Sequence, residues 1–121
     1  FEKSGEKEYH TMMGVPPEQM VEEMIEAGAT IIGANCGNGV ERMIDIVEAI
    51  RKVNKTLPVL VHANAGMPVY EGGKTIFPET PEQMASFVSR LLDAGANIIG
   101  GCCGTTPEHI RQIAEMVKEY H

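Results

Sequence analysis

Glu26-Ala27-Gly28-Ala29-Thr30-Ile31-Ile32-Gly33 returns 67 residues later as Asp93-Ala94-Gly95-Ala96-Asn97-Ile98-Ile99-Gly100. In each copy a glycine stands where a helix C-cap belongs, and a short apolar run rich in β-branched side chains follows it. Each copy is also preceded by Pro-Glu-Gln-Met, at Pro17–Met20 and at Pro81–Met84, and proline suits the first turn of a helix. The repeated unit is therefore a helix, a tight turn and a strand.

The segments around the two copies extend this pattern. Met20, Val21, Met24 and Ile25 form one apolar stripe, with Glu18, Glu22, Glu23 and Glu26 on the solvent side. Val40, Met43, Ile44, Val47 and Ile50 stripe a second helix, which Pro58 stops before the strand Val59-Leu60-Val61-His62. The third helix opens at Pro81 and carries Met84, Phe87, Val88, Leu91 and Leu92, and a last one runs from Pro107 to about Glu119. Strands are expected at Thr30–Ile32, Val59–His62 and Asn97–Ile99, with loops over Phe1–Val15 and Ala63–Thr80. The order is α-β-α-β-α-β-α. Short apolar strands between amphipathic helices specify a parallel sheet covered by helices. The expected fold is α/β, half of a (β/α)8 TIM barrel, since a full barrel takes about 250 residues and eight strands.

Composition narrows the function. The 121 residues carry 10 Lys and Arg against 17 Asp and Glu, a formal net charge of −7. That acidic balance argues against nucleic-acid binding, which needs a basic surface to displace counterions. No apolar run approaches the roughly 20 residues of a membrane span, and no charged-then-apolar leader opens the chain, so a soluble cytoplasmic protein is expected. A 43% apolar fraction is enough for one core and too high for a disordered chain.

The three cysteines carry the chemistry. Cys36 follows the first strand in Gly33-Ala34-Asn35-Cys36-Gly37, and Cys102 and Cys103 follow the third in Gly100-Gly101-Cys102-Cys103-Gly104. The repeat maps Cys36 onto Cys103. Active groups of parallel α/β folds gather at the carboxyl ends of the strands, so all three thiols are expected on one rim. Three thiolates on one rim suit a zinc ion with an open fourth position, the catalytic rather than the structural arrangement. Neighbouring strand residues point to opposite faces, so Cys102 and Cys103 can share a metal only if the chain leaves β geometry, which Gly100, Gly101 and Gly104 permit. The plainer alternative is three small buried residues in tight turns.

The glycine-framed cysteines resemble the zinc motif of the homocysteine S-methyltransferase family, and residues 1–121 resemble the C-terminal half of that family's homocysteine-binding barrel domain. Phe1-Glu2-Lys3, Thr11-Met12-Met13-Gly14 and Ala63-Asn64-Ala65-Gly66-Met67-Pro68 are most similar to the branch of cobalamin-dependent methionine synthases. The resemblance implies a (β/α)8 barrel with Cys36, Cys102 and Cys103 as zinc ligands. It also implies homocysteine as the acceptor, its thiol deprotonated on zinc and methylated to methionine. The donor in the resembled enzymes is methylcobalamin, an S-methyl sulfonium or a betaine; it would be methylcobalamin if the resemblance to that branch extends so far, remethylated from 5-methyltetrahydrofolate on further folate and cobalamin domains. The N-terminal half-barrel is expected to lie elsewhere in the intact protein. Without it the 121 residues are expected to self-associate and to be inactive.

Other residues have plainer readings beside functional ones. His62 ends the middle strand as a ligand, a proton carrier or a rim histidine bonded to a loop. Asn35 and Asn64 orient substrate or tie down their own turns. Thr105, Thr106 and Glu108 surround a helix start, as N-cap chemistry or as a carboxylate site. Two further functions compete with methyl transfer. Ile99-Gly100-Gly101 ahead of a Thr-Thr-Pro helix start also suits the phosphate site of a phosphosugar enzyme. A non-catalytic module stabilised by zinc is the other.

Overall fold

The computed structural model of the chain describes residues 1–6 and 8–120; Lys7, within the Phe1–Val15 segment, and His121 lie outside the described residues. The order is β1 (Glu2–Lys3), β2 (Tyr9–His10), α1 (Pro17–Glu26), β3 (Ile32–Gly39), α2 (Val40–Val53), β4 (Val59–Asn64), β5 (Val69–Glu71), β6 (Lys74–Ile76), α3 (Pro81–Ser86), α4 (Val88–Ala94), β7 (Ile98–Gly101) and α5 (Pro107–Glu119). Strands β3, β4 and β7 form one parallel sheet with β4 in the centre. This is the expected half-barrel sheet, and the helices stand where the apolar stripes place them.

Four segments differ from the sequence reading. Phe1–Val15 contains the antiparallel pair β1–β2, and Tyr9 is buried with its hydroxyl donating to Asp45 Oδ2 on α2 at 3.0 Å. Burial and that contact push the Tyr9 phenol up to about 12. The Ala63–Thr80 loop carries the end of β4 and the exposed β5–β6 hairpin. The third helix breaks at Phe87, where Phe87 N–H bonds Met84 O three residues back and Ser86 Oγ donates to Gln83 O at 2.6 Å. Both bonds tighten the turn and interrupt the regular ladder. The first strand begins at Ile32 and runs on through Cys36 to Gly39. Its later part lacks the apolar run that marks a strand, so patterning sees only its start.

One face of the sheet is sealed by helices. Val59, Val61 and Ala63 alternate inward and pack with Ile32, Ala34, Ile46, Val47, Ile50 and Leu91. Leu60 and His62 point the other way and are half-buried, while Ile98 beside Leu60 is 41% exposed. Among the described residues β3 and β7 each pair only with β4, leaving two open edges. Next to the β7 edge, Ile110 and Val117 of α5 are 43% and 42% exposed. These apolar surfaces lie where further strands and helices would close a barrel.

The end of the layer at the start of β4 is held by Arg51, from the last turn of α2. Its guanidinium donates twice to Gly95 O, at 3.1 and 2.8 Å, and also to Asn54 O, Leu57 O and Asn97 Oδ1. Asn97 Oδ1 in turn accepts from Val59 N–H at 2.9 Å. One cation thus gathers the carbonyls at the ends of α2 and α4 and the start of β4, where helix dipoles favour positive charge. Arg51→Ala is expected to destabilise the fold by about 2 kcal/mol, because these half-buried carbonyls lose their partner together. Urea unfolding of the variant tests this, and an unchanged midpoint would refute it.

Candidate metal centre

The three cysteines arrive from two strands by different means. Cys36 sits in β3 where the register against β4 shifts between Asn35 and Gly39. Its φ is +55°, the sole non-glycine positive value among the described residues, so this irregularity turns its side chain out of the pleat. Cys102 and Cys103 follow the last residue of β7. There Thr105 N–H closes a turn on Cys102 O at 3.2 Å, and Gly104 takes φ +79° at its third position. A Cβ on Gly104 would also lie 2.3 Å from Phe77 Cβ. Gly100 and Gly101 stay in β7 without positive φ. Their lack of side chains provides space instead, since a Cβ would come within 2.6 Å of the His62 ring at Gly100 and 2.3 Å of Thr105 Cγ2 at Gly101.

The end of β4 grips this turn. Cys102 N–H donates to Ala63 O at 2.7 Å, Cys103 N–H to Asn64 Oδ1 at 3.1 Å, and Ala65 N–H to Cys103 O at 2.9 Å. Asn64 therefore serves the neighbouring turn rather than its own. The Sγ atoms of Cys36 and Cys103 lie 3.6 Å apart, and all three sulfurs fall within 4.8 Å of one another. Ligand sulfurs around a tetrahedral zinc, each about 2.3 Å from the metal, sit about 3.8 Å apart. Cys103 is exposed and the other two are half-buried, so the cluster is open on one side.

The thiols compete for charge. The Gly37 backbone N–H, with smaller help from the Cys103 and Cys102 thiols, holds Cys36 below the ordinary thiol range. Cys103, facing the Cys36 and Cys102 thiols, is pushed up to about 11. Three adjacent thiolates repel one another strongly without a cation between them. A soft divalent cation fits this donor set, since it would stabilise all three charges at once.

The other candidates fall away from the sulfurs. His62 lies on the open sheet face against Gly100 and is not in the ligand cluster, and Asn35, its register partner, is exposed. Thr106 is the N-cap of α5, accepting from His109 N–H, with Pro107 in the first turn. Glu108 pairs with Arg111 on the surface, and that guanidinium holds its carboxyl down at about 2. The amides of Cys102, Cys103, Thr105 and Thr106 are all bonded within the protein, so these donors are already committed and not offered to a phosphate.

Sequence reasoning passed over His109 and Glu79. His109 is buried at the third position of α5, where its only sequence signal is the capping-box spacing from Thr106. Glu79 follows the β5–β6 hairpin, and its Oε2 is buried against Gly39 and Gly66 without a hydrogen-bond partner among the described residues. Burial, with Glu41 adding to it, raises the Glu79 carboxyl above its ordinary 4.5. A folded-state pKa above the unfolded one favours the protonated form, so this contribution is full below pH 4.5 and is lost as pH rises through the folded value. Glu79→Gln is expected to flatten that part of the stability–pH curve and to raise stability at neutral pH. Chemical denaturation of both proteins on either side of that window checks this; parallel curves would refute it.

Comparison with known proteins agrees with the fold and the motif. Residues 3–117 match the family model described as homocysteine S-methyltransferase. The chain is 36% identical over 91 residues to a methionine synthase of Mycobacterium leprae and 35% identical to one of Mycobacterium tuberculosis, covering 74% of this chain in each case. It spans only 8% of the length of those relatives. The apo crystal structure of the homocysteine methyltransferase MmuM from Escherichia coli superposes with a TM-score of 0.68 at 25% identity, covering 88% of this chain and 35% of that one. Its oxidized form gives 0.61 at 27% identity, covering 84% and 30%. A half-barrel sheet, a cluster of three thiols at its rim and a family match along nearly the whole sequence lead to one conclusion: the chain belongs to the homocysteine S-methyltransferase family.

Proposed function

We propose that residues 1–121 form the C-terminal half of a homocysteine-binding (β/α)8 barrel and that Cys36, Cys102 and Cys103 are its zinc ligands. In the intact protein this site would transfer a methyl group to the thiol of homocysteine, giving methionine. The observation that carries the reading is the convergence of three sulfurs within 4.8 Å on a half-barrel rim, open on the Cys103 side. A zinc ion held by these three sulfurs would act as a Lewis acid that lowers the pKa of a substrate thiol, while the three anionic sulfurs would keep the centre electron-rich.

The chain's own residues hold this arrangement ready. The left-handed backbone at Cys36 and the Asn64 contact to Cys103 N–H fix two ligand directions before any metal arrives. The greater likeness to methionine synthases supports methylcobalamin as donor, with folate and cobalamin domains as partners and a cytoplasmic setting. No helix among the described residues is long and apolar enough to cross a membrane.

Replacing any one of the three cysteines by serine in the intact protein should reduce zinc content severely and abolish methyl transfer, because a serine hydroxyl stays protonated at neutral pH. Acid should release the metal as well, since protons compete for the same sulfurs and binding weakens as pH falls. Metal analysis across pH, with Cys103→Ser as the comparison, tests both; full zinc content in the variant would exclude this ligand set.

The uncovered sheet face and the apolar surface around Ile98, Ile110 and Val117 would be closed by the rest of the barrel. The isolated 121 residues should therefore self-associate at micromolar concentration and show negligible methyl transfer. Sedimentation and an activity assay decide this, and a well-behaved, active monomer would count against the half-barrel assignment.

A further inference from the structure

His109 lies outside the thiol cluster, yet a continuous run of hydrogen bonds joins it to Cys103. The ring's Nδ1 accepts from Thr106 N–H at 3.1 Å, so that nitrogen carries no proton. The proton is therefore on Nε2, which donates to Glu79 O at 2.8 Å. The peptide that bears this carbonyl is held at its other end as well, since Thr80 N–H donates to Gln83 Oε1 at 2.9 Å. Glu79 N–H donates to Ala65 O at 3.1 Å, and Ala65 N–H donates to Cys103 O at 2.9 Å. The start of α5, the end of the hairpin segment, the end of β4 and the cysteine turn are thus tied in sequence.

We infer that His109 is a positioning residue for the thiol cluster: through Glu79 and Ala65 its Nε2–H sets where the Cys102–Cys103 turn sits relative to Cys36. This rests on the zinc–thiolate reading above. The ring does two separable jobs, capping α5 through Nδ1 and bracing Glu79 through Nε2. Helix α3 shows the first job done by another residue, because its capping box uses Gln83 at the same third position after Thr80. The cap can be weakened alone from its other side, because Thr106→Ala removes the hydroxyl that accepts from His109 N–H and leaves the ring's Nε2–H on Glu79 O.

The test compares the intact protein with its His109→Ala and Thr106→Ala variants, loaded with cobalt(II) in place of zinc. The readouts are thermal midpoint, thiolate-to-cobalt and d–d absorption, and cobalt affinity by chelator competition. His109→Ala should lose both stability and metal affinity. The affinity loss in His109→Ala should be about 10- to 100-fold, the range found when groups orienting metal ligands are removed, with shifted d–d bands. Thr106→Ala should lower the midpoint and keep the wild-type cobalt affinity and spectrum. A His109→Ala protein with wild-type affinity and spectrum would overturn the inference, as would a Thr106→Ala protein that loses as much affinity as His109→Ala. So would a His109→Ala protein that fails to fold, since the ring would then serve the fold as a whole. A wild-type chain without thiolate–cobalt absorption would instead overturn the thiolate-metal reading, and the positioning role with it.

Discussion

Three hydrogen bonds between the end of β4 and the Cys102–Cys103 turn, two accepted by Ala63 O and Asn64 Oδ1 and one donated by Ala65 N–H, are the constraint on which the site depends. A regular strand directs successive side chains to opposite faces, so two adjacent cysteines cannot face one metal from β geometry. The end of β4 takes hold of the chain just as β7 ends and substitutes its own acceptors and donors for the missing ladder. The Cys102 and Cys103 amides and the Cys103 carbonyl are thereby paired, which holds an irregular segment in place at the rim.

The two halves of the ligand set reach the same place by opposite devices. On β7 the departure from the pleat is carried by Gly104, where positive φ is easy and the Phe77 side chain leaves no room for a Cβ. On β3 it is carried by Cys36 itself, which holds a conformation costly for a residue with a side chain. The repeat that maps Cys36 onto Cys103 is therefore a repeat of position and not of backbone shape. Asn38 helps to hold that irregularity, buried beside it with its side-chain amide donating to Phe1 O at 2.6 Å.

The helix-covered side of the sheet is a finished interior, while its opposite face and both edges are not. Alternation on β4 separates them residue by residue, with Val59, Val61 and Ala63 sealed and Leu60 and His62 half-open. Arg51 closes the end of the layer away from the cysteines, so the site stands over a framework braced at its far end. His109 and Glu79 extend the bracing to the near end. At the far end Arg51 collects several carbonyls, while at the near end His109 meets Glu79 O and Asn64 Oδ1 accepts from Cys103 N–H.

The sequence by itself determined the helices, the parallel sheet and the rim on which the cysteines meet, because apolar periodicity and glycine caps are local signals. Val59–Val61 and the stripe from Met43 to Ile50 are legible for that reason, and the repeat made the spacing of the units visible. The tertiary structure alone decided that β3 runs on through an irregular Cys36, that Asn64 serves a turn 39 residues away, and that Arg51 is a strut rather than a surface charge. It also decided that His109 is more than a helix cap, since its bond to Glu79 spans 30 residues. Each of these is a hydrogen bond or a backbone angle set by a partner distant in the chain. Hydrophobic patterning records which face a residue turns to the core, and it carries no record of which carbonyl a buried donor will find there.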